Sequence, residues 1–115
     1  VHVMLDTFHM NIEEESMTEP ILAAGSLLGH FHVGEPNRKP PHEGRMPWKE
    51  IGEELRNIDY QGDVIMEPFV IPGGVVGKDI RVWRQLFEDT SDEMLDVKAK
   101  ESLLFIKEEF CGNAE

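Results

Sequence analysis

Asp6, His9, His30, His32, Arg38 and Glu67 are the side chains in this sequence whose types and spacing could do chemistry. Asp6 closes the apolar run Val1–Asp6 (VHVMLD), and His9 follows three residues later. His30 and His32 close a second run, Leu27–Val33 (LLGHFHV), and Glu67 lies in a third, Asp63–Val70 (DVIMEPFV). One carboxylate, one imidazole and a second carboxylate, each from a different run, could converge on a single ion. Mixed oxygen and nitrogen donors suit Mn²⁺, Co²⁺, Mg²⁺ or Zn²⁺. The lack of clustered cysteines speaks against a structural zinc site. Such an ion would act as a Lewis acid on a carbonyl and its neighbouring hydroxyl. A carboxylate beside it could move a proton on and off the adjacent carbon.

Each of these residues also has a plainer use. Asp6 could cap a helix or satisfy loop amides, and His9 could be an exposed loop histidine. By the period of two, His30 and His32 share one strand face. At most one of them need be a ligand, and the deeper His30 suits a core or supporting position. Glu67 could be a solvated strand end, and Arg38 a surface charge. The acidic run Glu13–Glu15 reads as helix electrostatics. Trp48, Trp83, Phe87 and Phe105 lie on helical stripes and read as packing. The glycines at Gly73, Gly74 and Gly77 are too sparse for a phosphate cradle.

The elements that would position the polar residues follow from periodicity. The three apolar runs read as strands. Thr7–Asn11 reads as loop and Ile12–Ala24 as a helix with Met17, Ile21 and Leu22 facing a core, stopped at Gly25. Gly34–Pro47 is a long loop broken by Pro36, Pro40, Pro41, Gly44 and Pro47. Trp48–Ile58 is amphipathic, Ile71–Gly77 is a Gly/Pro loop, and Asp79–Phe87 and Asp92–Phe110 read as helices, the last capped by Ser91. Alternating strands and helices predict a parallel sheet of βαβ units, with strands apolar enough to be covered on both faces. In such a sheet Asp6, His32 and Glu67 share the C-terminal edge, where active sites of these folds lie.

Composition narrows the partners. The chain has 115 residues and a net charge of −12, from 23 acidic and 11 basic side chains. That balance repels a phosphate backbone and argues against nucleic acid. No apolar run approaches the roughly 20 residues of a membrane span. The single cysteine, Cys111, rules out an intrachain disulfide and suits a reducing, cytoplasmic setting, with the thiol a spectator. The chain opens on Val1 inside an apolar run, and three strands would leave two unpaired edges. Both features lead us to expect further strands upstream, with residues 1–115 forming the C-terminal part of one domain.

Four strings, LDTFHMNIEE (Leu5–Glu14), GHFHVGEPNR (Gly29–Arg38), EGRMPW (Glu43–Trp48) and MEPFV (Met66–Val70), resemble the D-tagatose 3-epimerase family, which includes the D-psicose (allulose) 3-epimerases. The resemblance covers nearly the whole chain, in order. It implies an α/β fold, the C-terminal part of a (β/α)8 TIM barrel, about three β/α units forming strands 6–8. It implies a divalent metal, Mn²⁺ first with Co²⁺ or Mg²⁺ as alternatives, and a ketose substrate inverted at C3 through an enediolate. Asp6, His32 and Glu67 match metal ligands, and Glu67 also matches a catalytic glutamate. His9 and Arg38 match substrate-binding residues. A second catalytic glutamate, also a ligand, would lie on the strand before Val1, so this chain alone is expected to be inactive. Full-length relatives are dimers or tetramers, which implies a homo-oligomer. The pattern leads us to expect Gly where this chain carries His42. Two other readings compete: another isomerase of the xylose-isomerase-like barrels, such as a hydroxypyruvate isomerase, and a non-catalytic part-barrel. Abasic-site nucleases of a related barrel class fit poorly with the acidic charge.

Overall fold

The computed structural model describes residues 1–112 of the chain. Three strands, β1 (Val3–Asp6), β2 (Leu28–Val33) and β3 (Asp63–Met66), form one sheet in that order, and both pairings are parallel. Helices α1 (Thr7–Glu13) and α2 (Glu19–Ala24) connect β1 to β2, and α3 (Trp48–Asn57) connects β2 to β3. Beyond β3 come α4 (Gly74–Asp79) and α5 (Asp92–Cys111).

Alternation along the strands divides the sheet into two chemically different faces. Asp6 pairs with His32, Met4 with His30, and His32 with Ile65. Side chains two apart share a face, so Met4, Asp6, His30, His32, Ile65 and Glu67 lie together. The opposite face presents Leu5, Phe31, Val33, Val64 and Met66 to the core formed with Ile21 of α2, Trp48, Ile51 and Leu55 of α3, and Ile106 and Phe110 of α5. Tyr60 packs edge-on against Phe31, and its hydroxyl donates to the Asp63 carbonyl at 2.6 Å. Burial, and then the Asp63 charge, push that phenol above its usual pKa. Covering on both faces was expected, but within this chain only the Phe31 face is covered by helices. Met4 and Ile65 on the other face are exposed.

Local chemistry moved several element boundaries. Thr7–Asn11 is helical, because Asp6 is extended and its Oδ1 accepts the Phe8 and His9 amides at 2.8 and 3.4 Å, starting α1 at once. The single helix expected over Ile12–Ala24 is broken. Glu14 turns extended, and Ser16 Oγ accepts the Thr18 and Glu19 amides ahead of α2. Glu13 therefore ends a helix rather than opening one, and Leu22 is exposed while Ile21 is buried. β3 stops at Met66, since Pro68 has no N–H to give a ladder. The Gly/Pro loop ends early as α4 begins at Gly74. The helix expected over Asp79–Phe87 does not form; Arg81 takes a left-handed φ of 63°, and Leu86 N–H bonds the Val70 carbonyl instead. Trp83, read as packing, is exposed.

The long terminal helix opens where expected. Ser91 caps it by accepting the Met94 amide, and separate hydrogen bonds to Asp89, first from the Ser91 backbone amide and then from its side chain, hold the Asp89 carboxyl below its usual pKa. Its far end lacks a basic residue of its own, and Arg56 of α3 supplies one, donating from Nη1 to the Glu109 and Phe110 carbonyls at 2.7 Å each. That contact requires Gly52. A Cβ there would stand 2.4 Å from the Glu109 carbonyl oxygen, a backbone atom that cannot swing aside. Although alanine favours helix, Gly52→Ala should destabilise the fold by about 1–3 kcal/mol, the usual cost of overpacking, as read from a lowered urea midpoint.

Candidate metal centre

Asp6, His32 and Glu67 reach one place from three adjacent strands. One ligand atom from each lies within 4.8 Å of the others. His32 Nδ1 stands 3.6 Å from Asp6 Oδ2 and 3.6 Å from Glu67 Oε2. Asp6 and His32 are direct register partners, and Glu67 lies two residues beyond Ile65, the partner of His32 on the other side. The parallel register thus brings together three residues that are 26 and 35 positions apart in sequence.

Asp6 serves two purposes at once. Oδ1 caps α1 while Oδ2 faces His32, so the capping role and the site role coexist on one carboxylate. The cap fixes the carboxylate plane and aims its second oxygen. A further clamp holds the strand ends in place: the buried Thr7 hydroxyl donates to the Gly34 carbonyl at 2.7 Å and accepts the Gly34 amide at 2.9 Å. It ties the residue after Asp6 to the residue after Val33. A β-branched hydroxyl directly after a strand-ending aspartate was the available signal.

The donor set fits a divalent cation. His32 Nδ1 is buried and has no hydrogen-bond partner among the described residues. A buried polar atom without a partner is costly, and 3.6 Å to each carboxylate is too long for a hydrogen bond. Donors about 2.1 Å from a shared ion would stand roughly 3–4 Å apart, which matches this spacing. Two carboxylates and an imidazole also suit the hard and borderline divalent ions.

The other expected residues lie outside this group of three. His9 is exposed in the first turn of α1, its ring edge-on to Phe8 at 5.2 Å. Arg38 lies in the loop after β2 with its guanidinium 3.6 Å from the Phe8 ring centroid and 5.1 Å from that of Phe69. Its carbonyl accepts the Phe69 amide at 3.0 Å, so its backbone is pinned to the segment after β3. With Phe8, Phe69 and Trp83 it lines a cavity of about 300 Å³. His30 places Nε2 3.0 Å from His32 Nε2.

Glu35 escaped sequence reasoning. It is fully buried, and its carboxylate accepts the His42 amide at 2.8 Å, the Met46 amide at 3.0 Å and the Trp48 indole N–H at 2.6 Å. The loop bearing Arg38 wraps around it, and Gly44 is required because a Cβ there would stand 2.5 Å from Glu35 Oε1. His42 adopts φ 78°, the left-handed region that favours glycine, which gives a backbone reason for the glycine expected there.

Parallel strands alternating with helices, with a candidate carboxylate–imidazole–carboxylate metal centre at their C-terminal ends, are the pattern of a piece of an α/β barrel. Residues 1–86 match the family described as xylose isomerase-like TIM barrel, and the chain belongs to that family. It is 54% identical over 110 residues to the D-psicose 3-epimerase of Enterocloster bolteae, covering 96% of this chain and 36% of the relative. It is 58% identical over 105 residues to that of Agrobacterium fabrum, covering 91% and 36%. The crystal structure of D-psicose 3-epimerase with D-tagatose from Clostridium cellulolyticum H10 superposes with a TM-score of 0.93 at 55% identity, over 96% of this chain and 38% of that one. The chain thus spans little more than a third of the length of its curated relatives. Among the described residues, no helix is long and apolar enough to cross a membrane.

Proposed function

We propose that this chain carries three metal ligands and one acid/base carboxylate of a divalent-metal-dependent ketose 3-epimerase, within the last three strands of its barrel. The observation that supports this most is the meeting of Asp6, His32 and Glu67 around a buried imidazole nitrogen that has no hydrogen-bond partner among the described residues. The similarity to D-psicose 3-epimerases over nearly the whole chain supports the substrate class.

In this reading Asp6, His32 and Glu67 would hold the ion, Mn²⁺ in preference to Co²⁺ or Mg²⁺, which when bound would supply stabilisation of negative charge on the substrate's oxygens. Glu67 transfers a proton at C3 on one face of the ketose. Inversion through a planar enediolate needs a second acid/base on the opposite face, and a glutamate on a preceding strand fills that role. Arg38 and His9 hold hydroxyl groups so that C3 stands against Glu67. The stacked, backbone-pinned Arg38 suits that task, since little side-chain freedom remains to be lost on binding. The complete protein works as a homo-oligomer in the cytoplasm.

The test grafts this chain onto the part of the Enterocloster bolteae enzyme that it does not match, giving a full-length barrel. Exchange between D-fructose and D-psicose on addition of Mn²⁺ is the expected result. Aldose–ketose exchange would point instead to another isomerase of the barrel group, and metal binding without turnover to a non-catalytic piece. Arg38→Ala in the graft should raise KM about tenfold or more, the loss of a charge-assisted hydrogen bond, while elemental analysis finds the metal content unchanged. Equal loss of metal and affinity would contradict the division of labour between the Arg38 loop and the strand ends.

A further inference from the structure

The contact between His30 and His32 has a consequence for which atom of His32 can meet a cation. Nε2 of His30, 3.0 Å away, makes the only hydrogen bond to the His32 ring among the described residues. The two rings sit on the same face of β2, their centroids 4.8 Å apart and their planes at 66°. A neutral imidazole carries one proton, on one nitrogen or the other, and only the bare nitrogen has a lone pair to give. The atom of His32 that faces Asp6 and Glu67 is Nδ1. For Nδ1 to bind an ion, the His32 proton must sit on Nε2, and there it can only donate to a bare Nε2 on His30. His30 must then carry its own proton on Nδ1. The reverse arrangement, with His30 donating, leaves His32 protonated at Nδ1, where the proton points at the two carboxylates and excludes an ion.

We infer that His30 is a positioning residue that selects the tautomer of His32 and holds its ring with Nδ1 toward Asp6 and Glu67. Histidine ligands are commonly oriented by a carboxylate or a backbone carbonyl, which can only accept. A second imidazole can accept or donate. The pair therefore has two self-consistent hydrogen-bonding states, one open to a cation and one closed by a proton. This inference rests on the metal reading above.

The experiment compares the native graft with His30→Ala and His30→Gln. Mn²⁺ affinity is measured by titration calorimetry, and ring tautomers by long-range ¹H–¹⁵N spectra with diamagnetic Mg²⁺. The Gln amide oxygen reaches about as far as a histidine Nε2 and accepts a hydrogen bond. His30→Ala should weaken Mn²⁺ binding by about 10- to 100-fold, as loss of a ligand-orienting group does, and His30→Gln should recover most of that loss. In the Mg²⁺-loaded native protein, His32 should carry its proton on Nε2 and His30 on Nδ1. Native-like affinity in His30→Ala, a Gln variant that folds yet binds as weakly as the Ala variant, or an Nδ1 proton on His32 with Mg²⁺ bound would each overturn the inference. If His30→Ala fails to fold, the Gln affinity and the native tautomers still decide it. A native graft that binds no Mn²⁺ overturns the metal reading itself and this inference with it. A native graft that binds Mn²⁺ with His30 indifferent removes only the role of His30.

Discussion

Glu67→Gln in the full-length graft should reduce C3 epimerisation by about 10²–10⁴-fold, the range associated with loss of an acid/base group. The substitution keeps size and shape but leaves an amide that cannot take up a proton at C3. It also replaces one anionic donor 3.6 Å from His32 Nδ1 with a neutral one, so Mn²⁺ should bind more weakly. The two effects separate at saturating Mn²⁺, where metal occupancy recovers and turnover does not. Exchange of the C3 hydrogen with solvent deuterium gives a second readout, because it follows proton transfer whether or not product leaves. Near-native turnover at full occupancy would remove Glu67 from the chemistry and leave it as a ligand only. Fold stability should change little, because the Glu67 side chain is 47% exposed.

Glu35→Ala should have the opposite signature, a large loss of stability with no group removed from the metal centre. Three N–H donors, the buried ones of Met46 and Trp48 and the partly buried amide of His42, lose their acceptor together. A buried donor left unsatisfied costs about 1–3 kcal/mol, so with two such donors the fold should lose at least about 2 kcal/mol. The carboxylate also sets the path of the loop carrying Arg38, whose amide donates to the Glu35 carbonyl at 3.0 Å. KM should therefore rise in whatever fraction remains folded. Glu35→Gln should fall between the native and Ala forms, since the amide oxygen still accepts but its NH₂ group meets an N–H donor. Urea unfolding followed by Trp fluorescence measures the difference, Trp48 being one of the partners. A Glu35→Ala variant within about 1 kcal/mol of native, the size of an ordinary surface change, would mean that water or a shifted loop satisfies those donors.

The two variants divide the region after β2 into parts with different physical duties. Glu67 is half-exposed beside His32 at the strand ends, whereas Glu35 is sealed beneath the loop. Both are glutamates near strand ends, and nothing in composition tells them apart. Glu67 could be singled out because it lies in an apolar run parallel to those ending at Asp6 and His32. Glu35 sits in a stretch rich in proline and glycine, where a glutamate reads as solvated.

What the amino-acid sequence determined by itself was whatever depends on neighbours along the chain. Strict alternation in LGHFHV separates Phe31 and Val33 from His30 and His32, because successive side chains of a strand point to opposite faces. Three apolar runs separated by helices specified a parallel sheet, and a parallel sheet places Asp6, His32 and Glu67 at one edge. The tertiary structure decided what depends on groups brought from afar. It let one Asp6 carboxylate cap α1 and face His32 together, where the two uses had looked like alternatives. It buried Glu35 beneath three donors from a loop that local patterning leaves undetermined, and it placed Gly52 against the end of α5. It ended α4 at Asp79, where periodicity alone would have started a helix, because Leu86 finds a partner at Val70. Backbone and side-chain polar groups must be satisfied by something once buried, and the partners that satisfied these came from other elements of the fold.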